Sequence, residues 1–313
     1  MNRELLLVDA FADRIGVGNR AGVVLDAGGL DAARMQRIAS HVDASETAFG
    51  LPAGDADDYD LEVRFFSRSR EIPVCGHATI AFHYARARAA DLPSSRCRMK
   101  TAAGTIVVDV LRENGDWRVV MTQRPPTVLR TLTREDAGAV LEALSLSPRD
   151  LADGLPIEVI CTGHAKVLVP VRRWSALDAM KPDRQRLIAL SPRVGATGFF
   201  AFTRDIQRPD VLYHGRMFAP ASGVDEDPVT GNANGPAGYY LLRHGVLALD
   251  AEGVCRFRAV QGERLGRSGI IEVALSRGEA GQIRVQVAGG ARVAESRSLD
   301  AIDIETTEER ANV

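Results

Sequence analysis

An internal duplication constrains this 313-residue chain more than any other feature: short frames of the first half recur in the second, in the same order. The clearest pair follows an Arg-x-Phe segment. Val63-Arg64-Phe65-Phe66-Ser67 leads into Glu71-Ile72-Pro73-Val74-Cys75-Gly76-His77-Ala78, and Gly215-Arg216-Met217-Phe218-Ala219 leads into Glu226-Asp227-Pro228-Val229-Thr230-Gly231-Asn232-Ala233. Upstream, Gly18-Asn19-Arg20-Ala21 before Val23-Val24-Leu25 answers to Gly163-His164-Ala165 before Val167-Leu168-Val169, and each half has a helical stretch between these points, Asp31 to His41 and Pro182 to Leu190. Any one match is within reach of chance. The shared order is not, and it predicts two similar domains, with equivalent loops lining a cleft between them.

Local patterns give each half short strands and one strongly apolar helix, an α+β fold in which a curved sheet surrounds a central helix. Leu5 to Val8 is continuously apolar, and Leu61 to Phe66 and Thr105 to Leu111 are rich in branched and aromatic residues, as strands require. From Gly76 the segment Ala78-Thr79-Ile80-Ala81-Phe82-His83-Tyr84-Ala85 is apolar on nearly every side until Arg86, which predicts a buried helix. Its counterpart runs from about Ala233 to Arg243 and ends near Gly245. The paired prolines Pro125 and Pro126 mark the connection. The expected division is therefore an N-terminal domain over 1–123, a C-terminal domain over 128–295 closed by strands at Ile270 to Leu275 and Gln282 to Val287, and a loose charged tail over 296–313.

Composition narrows the partners. With 45% hydrophobic residues the chain can fill two domain cores, and a formal charge of −2 offers no basic footprint for nucleic acid or a membrane surface. A small molecule is the expected partner. The three lysines, Lys100, Lys166 and Lys181, lie in no conspicuous motif, which argues against a pyridoxal Schiff base. The four cysteines, Cys75, Cys97, Cys161 and Cys255, are widely spaced and suggest neither disulfides nor a zinc knuckle. The apolar run at Leu5 is too short for a signal peptide or membrane span, so a cytoplasmic location is expected.

Three positions attract chemical attention. Gly76-His77-Ala78-Thr79 and Gly231-Asn232-Ala233-Asn234 each open a helix, where unpaired N–H groups and the positive end of the helix dipole favour an anion, so the two loops are expected to hold a carboxylate. Glu46, in Ala44-Ser45-Glu46-Thr47-Ala48-Phe49, puts one carboxylate among small and apolar neighbours, an environment that disfavours the charged form and suits a group that takes and returns a proton. The second half has the uncharged Gly195-Ala196-Thr197-Gly198-Phe199 there, so the base is supplied once. His77 falls in the first turn of the buried helix, where a neutral ring able to hydrogen-bond or relay a proton is favoured. Asp227, before Pro228, reads either as a contact for a substrate amine or for His77, or as an Asp that shapes its own turn. Cys75 invites a two-thiol epimerase mechanism, but Thr230 stands opposite it in the repeat and cannot act as a thiol does.

Ser45-Glu46-Thr47-Ala48-Phe49, Val74-Cys75-Gly76-His77-Ala78-Thr79, Gly223-Val224-Asp225-Glu226-Asp227-Pro228-Val229-Thr230-Gly231-Asn232-Ala233 and Gln261-Gly262-Glu263-x-x-Gly266-Arg267 together resemble the PhzF-like, phenazine-biosynthesis family. The resemblance extends from Val8-Asp9-Ala10-Phe11 to about Val287. It implies a diaminopimelate-epimerase-like fold, two pseudo-twofold-related domains, a homodimer, and a cofactor-independent isomerase acting without metal on a substrate such as trans-2,3-dihydro-3-hydroxyanthranilate. It further implies Glu46 as acid–base, His77 and Asp227 assisting, and Asn19, Ser45, Gly76, Gly231 and Asn232 near the substrate. Arg20 departs from the proline that relatives commonly place after Gly-Asn. An amino-acid epimerase relying on Cys75 and a non-catalytic binding relative are the competing readings.

Overall fold

A computed structural model describes residues 3–54, 58–278 and 281–299. It divides the chain into two compact units, Met1–Met121 with Ala288–Val313, and Thr122–Val287.

In the first unit, strand Glu4–Ala10 pairs antiparallel with Asn19–Val24, which runs parallel to Glu46–Pro52. That strand is antiparallel to Leu61–Ser67, which pairs with the short Glu71–Ile72 and then, in parallel, with Ser95–Thr101. Gly104–Glu113 and Asp116–Thr122 follow in antiparallel order. The helix Gly76–Ala89 packs against the strands Glu4–Ala10, Asn19–Val24, Glu46–Pro52 and Gly104–Glu113, and its residues His77 to Ala85 are all buried. This is the surrounded helix that the apolar run at Ala78 to Ala85 implies. Close approach is possible because Gly50 lacks a side chain: a Cβ there would lie 2.6 Å from the Phe82 ring. The opposite face of the sheet is covered by the helix Ala32–His41, capped by Asp31, whose Met35, Ile38 and Ala39 pack with Leu5, Leu7, Phe49 and Phe66.

The second unit repeats these pairings strand for strand. Glu158–Cys161 is antiparallel to Ala165–Val171, which is parallel to Gly198–Thr203; His214–Ala219 follows antiparallel, paired with Val224–Asp227 and, in parallel, with Val254–Gln261, and Gly269–Arg277 comes next. The helix Gly231–Arg243 packs on Gly269–Arg277, Ala165–Val171 and Glu158–Cys161. It kinks at Asn232, four residues before Pro236, which has no N–H to give the Asn232 carbonyl. A helix at Arg184–Val194, capped by Asp183 and ended by Gly195 with φ +73°, covers the other face. So does Arg134–Ala143, a helix absent from the sequence expectation, although Thr133 caps it and Val140, Leu141 and Leu144 mark its buried stripe.

The domain expectation differs from the fold at its C-terminal boundary. The chain passes between units at Met121 and again at Val287, and Ala291–Ser298, expected in the C-terminal domain and partly in a loose tail, is a strand paired antiparallel with Glu4–Ala10. The reason lies in that first strand. A continuously apolar strand is buried on both faces and held by neighbours on both edges; Asn19–Val24 supplies one neighbour and the returning C-terminal strand the other. The expected tail beyond Leu299 lies outside the described residues. No helix among the described residues is long and apolar enough to cross a membrane.

Candidate active site

The first unit gathers four of the residues singled out by sequence. Glu46 opens its strand in register with Ala21 on one side and Ser67 on the other. Its side chain is 15% exposed, and Oε2 lies 3.3 Å from Nε2 of His77, itself in the first turn of the central helix. Ser45 Oγ is 3.5 Å from the same nitrogen. On the other side of the ring, Cys75 Sγ lies 3.4 Å from Nδ1. One arrangement of protons satisfies every contact: a neutral ring donates Nε2–H to Glu46 and accepts the Cys75 thiol proton at Nδ1. The helix start is fixed by Thr79, whose N–H and hydroxyl both donate to the Cys75 carbonyl, at 3.0 and 2.7 Å. The N–H groups of Gly76, His77 and Ala78 have no acceptor within the helix.

Asn19, also expected near the substrate, starts the neighbouring strand and is buried. Arg20 beside it reaches a different partner. Its Nε and Nη2 bind Asp9 at 2.7 and 3.1 Å, and Gly16 N–H donates to the same fully buried carboxylate at 2.8 Å. In place of a proline's rigidity, the loop before Asn19 has a buried ion pair.

In the second unit, Asp227, Gly231 and Asn232 share the loop that opens the helix Gly231–Arg243. Asp227 accepts a short hydrogen bond from the Thr230 hydroxyl, so part of this residue's work is to shape the turn. The loop rests on a fully buried amide, Gln261, the first residue of the Gln261-Gly262-Glu263 motif. Its Nε2 donates to the Asp227 carbonyl at 2.7 Å and to Thr230 Oγ1 at 3.1 Å; its Oε1 accepts from Thr230 N at 3.2 Å and from Asn234 Nδ2 at 2.9 Å. Tyr213 Oη completes the set by donating to Asn234 Oδ1 at 2.9 Å. Gln123 donates to the Gly231 carbonyl at 2.8 Å.

Lys166 lies in no conspicuous sequence motif, and only the structure singles it out. It is 5% exposed, and burial brings its ammonium pKa down to about 8 against the attraction of Asp227 and Cys161. Desolvation also lowers the imidazole pKa of nearby His164, with repulsion from Lys166 and Arg124 adding to it. The two clusters therefore differ in kind. The first has a carboxylate, an imidazole and a thiol; the second has a braced Asp–Thr turn and a buried amine.

Among the described residues, Glu46, Cys75 and His77 form a set able to take a metal ion, with one ligand atom from each and all three within 4.8 Å of one another. Carboxylate, thiolate and imidazole are zinc ligands, and three of them leave a fourth position open. The same atoms are equally placed for moving protons.

Comparison with known proteins agrees with this architecture. The family model described as phenazine biosynthesis-like protein, PhzC-PhzF, matches residues 8–297. An uncharacterized isomerase of Clostridium acetobutylicum is 41% identical over 289 residues, covering 92% of this chain and 95% of the relative. The trans-2,3-dihydro-3-hydroxyanthranilate isomerase of Pseudomonas chlororaphis is 32% identical over 285 residues, covering 91% and 94%. The crystal structure of a PhzF-family phenazine biosynthesis protein from Bacillus anthracis superposes with a TM-score of 0.84 at 28% identity, covering 96% of this chain and 99% of that one. With the duplicated sheet-and-helix units and the motifs quoted above, these matches establish that the chain is an isomerase belonging to the PhzC-PhzF, phenazine biosynthesis-like family.

Proposed function

We propose that this isomerase moves a proton on a small cyclic carboxylic acid of the trans-2,3-dihydro-3-hydroxyanthranilate type, with Glu46 as the single acid–base group. The observation that supports it most is the pairing of Glu46 with His77: a carboxylate at 15% exposure held 3.3 Å from an imidazole at the N-terminus of a buried helix. In this reading the Glu46 carboxylate removes a proton from a substrate carbon, and the electron pair left behind moves into the conjugated system of the ring. The protonated Glu46 then delivers that proton to another carbon of the same face. His77 holds the carboxylate in place by its Nε2–H, and the first-turn N–H groups of Gly76 to Ala78 stabilise negative charge that grows on the substrate. Asn19 and Ser45 are read as further contacts. That the second-unit loop with Asp227, Gly231 and Asn232 addresses the same substrate rests on the sequence repeat.

The test is isomerisation and solvent-deuterium incorporation with trans-2,3-dihydro-3-hydroxyanthranilate in heavy water. Wild type should turn over, taking up label to the extent that the protonated Glu46 exchanges with solvent before it delivers its proton, and Glu46→Gln should lose about 10²- to 10⁴-fold in rate, the usual value of a positioned acid–base group. Equal rates in the two proteins would remove Glu46 from the chemistry. Light scattering in solution should give twice the chain mass, as the homodimer expectation requires.

One observation favours a second reading, an epimerase using a thiol: Cys75 Sγ lies 3.4 Å from His77 Nδ1, close enough for the imidazole to take the thiol proton. Its counterpart Thr230 is bound to Asp227 and has no thiol chemistry. Cys75→Ser separates the two. The Glu46 reading expects activity within about tenfold of wild type, on the scale of one altered hydrogen bond, whereas the thiol reading expects abolition.

A further inference from the structure

The two units place their charged side chains differently at equivalent points. In the first, Ala21 and Glu46 are register partners across a parallel strand pair, and in the second the corresponding partners are Lys166 and Gly198. The small residue and the charged one have exchanged strands, and the sign of the charge has reversed. Gly198 makes this possible. A Cβ on it would lie 2.6 Å from Cδ and 2.9 Å from Cε of Lys166, so the lysine stem runs through the space a side chain at 198 would fill.

The ammonium that this stem delivers is poorly compensated. Lys166 is 95% removed from solvent. Burying a cation costs several kcal/mol unless it is paired and hydrogen-bonded. The groups that face it are Asp227 from the helix-opening loop and Cys161 from the adjoining strand, both attractive, and His164 from the turn before its own strand. Attraction from Asp227 and Cys161 does not offset burial, as the depressed pKa records. Such a group gains most from an anion that brings hydrogen-bond acceptors to its three N–H donors.

We propose that Lys166 is a ligand-binding residue of the second unit that accepts the carboxylate of a small organic acid and selects for acids over their uncharged analogues. This rests on the isomerase reading only for the class of ligand, because binding of a non-reacting acid is read without turnover. The lysine stem fixes where the carboxylate sits, and Gly198 leaves the room through which the stem runs.

The probes are 3-hydroxyanthranilate and its decarboxylated counterpart 2-aminophenol, titrated calorimetrically into wild type and Lys166→Met at pH 7. Wild type should bind the acid at least tenfold tighter than the phenol, and Lys166→Met should lose that preference while keeping its affinity for the phenol. Unchanged acid binding by Lys166→Met would overturn the proposal, as would a wild type that does not prefer the acid. A second measurement needs no variant. Because the chain has only three lysines, NMR of protein labelled at lysine Cε resolves them, and the signal that titrates near pH 8 should move its midpoint upward when the acid is added and stay in place with 2-aminophenol. A midpoint indifferent to the acid would also overturn the proposal. Loss of activity in Glu46→Gln with acid binding intact is the expected pattern when both readings hold. Glu46→Gln turning over like wild type would remove only the catalytic reading.

Discussion

Gln261 offers a direct test of how the Asp227 loop is held. Replacing it with leucine keeps the side-chain volume nearly constant and removes four hydrogen bonds at once, to the Asp227 carbonyl, Thr230 Oγ1, Thr230 N and Asn234 Nδ2. Two of the partners retain other bonds: Thr230 Oγ1 still donates to Asp227, and Asn234 Nδ2 still donates to the Thr230 carbonyl at 2.9 Å. The Asp227 carbonyl loses one of its donors, and the Thr230 N–H loses the Gln261 oxygen that accepts from it. An unmet buried group costs about 1–3 kcal/mol, and since Asp227 and Thr230 are only half-buried, water offsets part of it. The expected loss is about 3 kcal/mol, roughly a third of the stability of an ordinary domain. Urea unfolding followed by circular dichroism measures it. The functional expectation is separate: under the proposed reading, in which Glu46 moves the proton and the Asp227 loop only binds, a loosened loop should raise KM for the acid by more than it lowers kcat. A loss below about 1 kcal/mol, or a fall in kcat with KM unchanged, would refute the idea that Gln261 braces a binding loop.

Other predictions concern stability and metal. Burial takes the His83 imidazole from 6.5 down to about 3, so below pH 6.5 the unfolded chain gains a proton that the folded chain refuses; stability present above pH 6.5 is lost on acidification, by about 1.4 kcal/mol per pH unit from this group. Thermal melts from pH 7 to pH 4 should therefore fall more steeply for wild type than for His83→Gln, and parallel slopes would exclude the effect. Arg20→Ala strips Asp9 of a bidentate partner where the carboxylate is fully buried, and should cost about 2–3 kcal/mol, below the usual range for a buried pair because Arg20 is partly exposed; a change under about 0.5 kcal/mol in chemical unfolding would assign the pair no structural role. Zinc should inhibit by bridging Glu46, Cys75 and His77, reversibly with chelator; cobalt should give a thiolate charge-transfer band in wild type that Cys75→Ser lacks, and its absence in wild type would sink the site.

What the sequence made visible follows from how each feature is encoded. Repeated frames and an all-round apolar helix are written in consecutive residues, and so the two sheet-and-helix units were legible, whereas the partnership of Glu46 with His77 followed only from the family resemblance. The return of Ala291–Ser298 to the first sheet was not, because its signal sits at the other end of the chain, in a first strand too apolar to be an edge. Gln261 and Asn234 are polar residues buried at 0% exposure; in sequence they look like any surface amide, and only their mutual bonds explain them. Arg134–Ala143 was legible in principle, since Thr133 and the stripe at Val140, Leu141 and Leu144 follow ordinary helix rules.

Lys166 shows why the repeat was both a guide and a trap. Comparing halves along the sequence finds Glu46 answered by the uncharged segment Gly195 to Phe199 and concludes that the base is supplied once. Parallel register changes that conclusion, because residues side by side on adjacent strands occupy one place in space while lying 32 positions apart in the chain, as Lys166 and Gly198 do. The glycine is then no loss of function but the space into which the lysine extends. In this fold a charge absent from one strand of the repeat stands on the neighbouring strand. A Cβ at 198 would also meet Met217 Cε at 2.3 Å, so the exchange of Lys166→Ala with Gly198→Lys is tested in a Met217→Ala background: if place governs, it should recover more acid binding than Lys166→Ala in that background, and if the chain position governs, it should recover none.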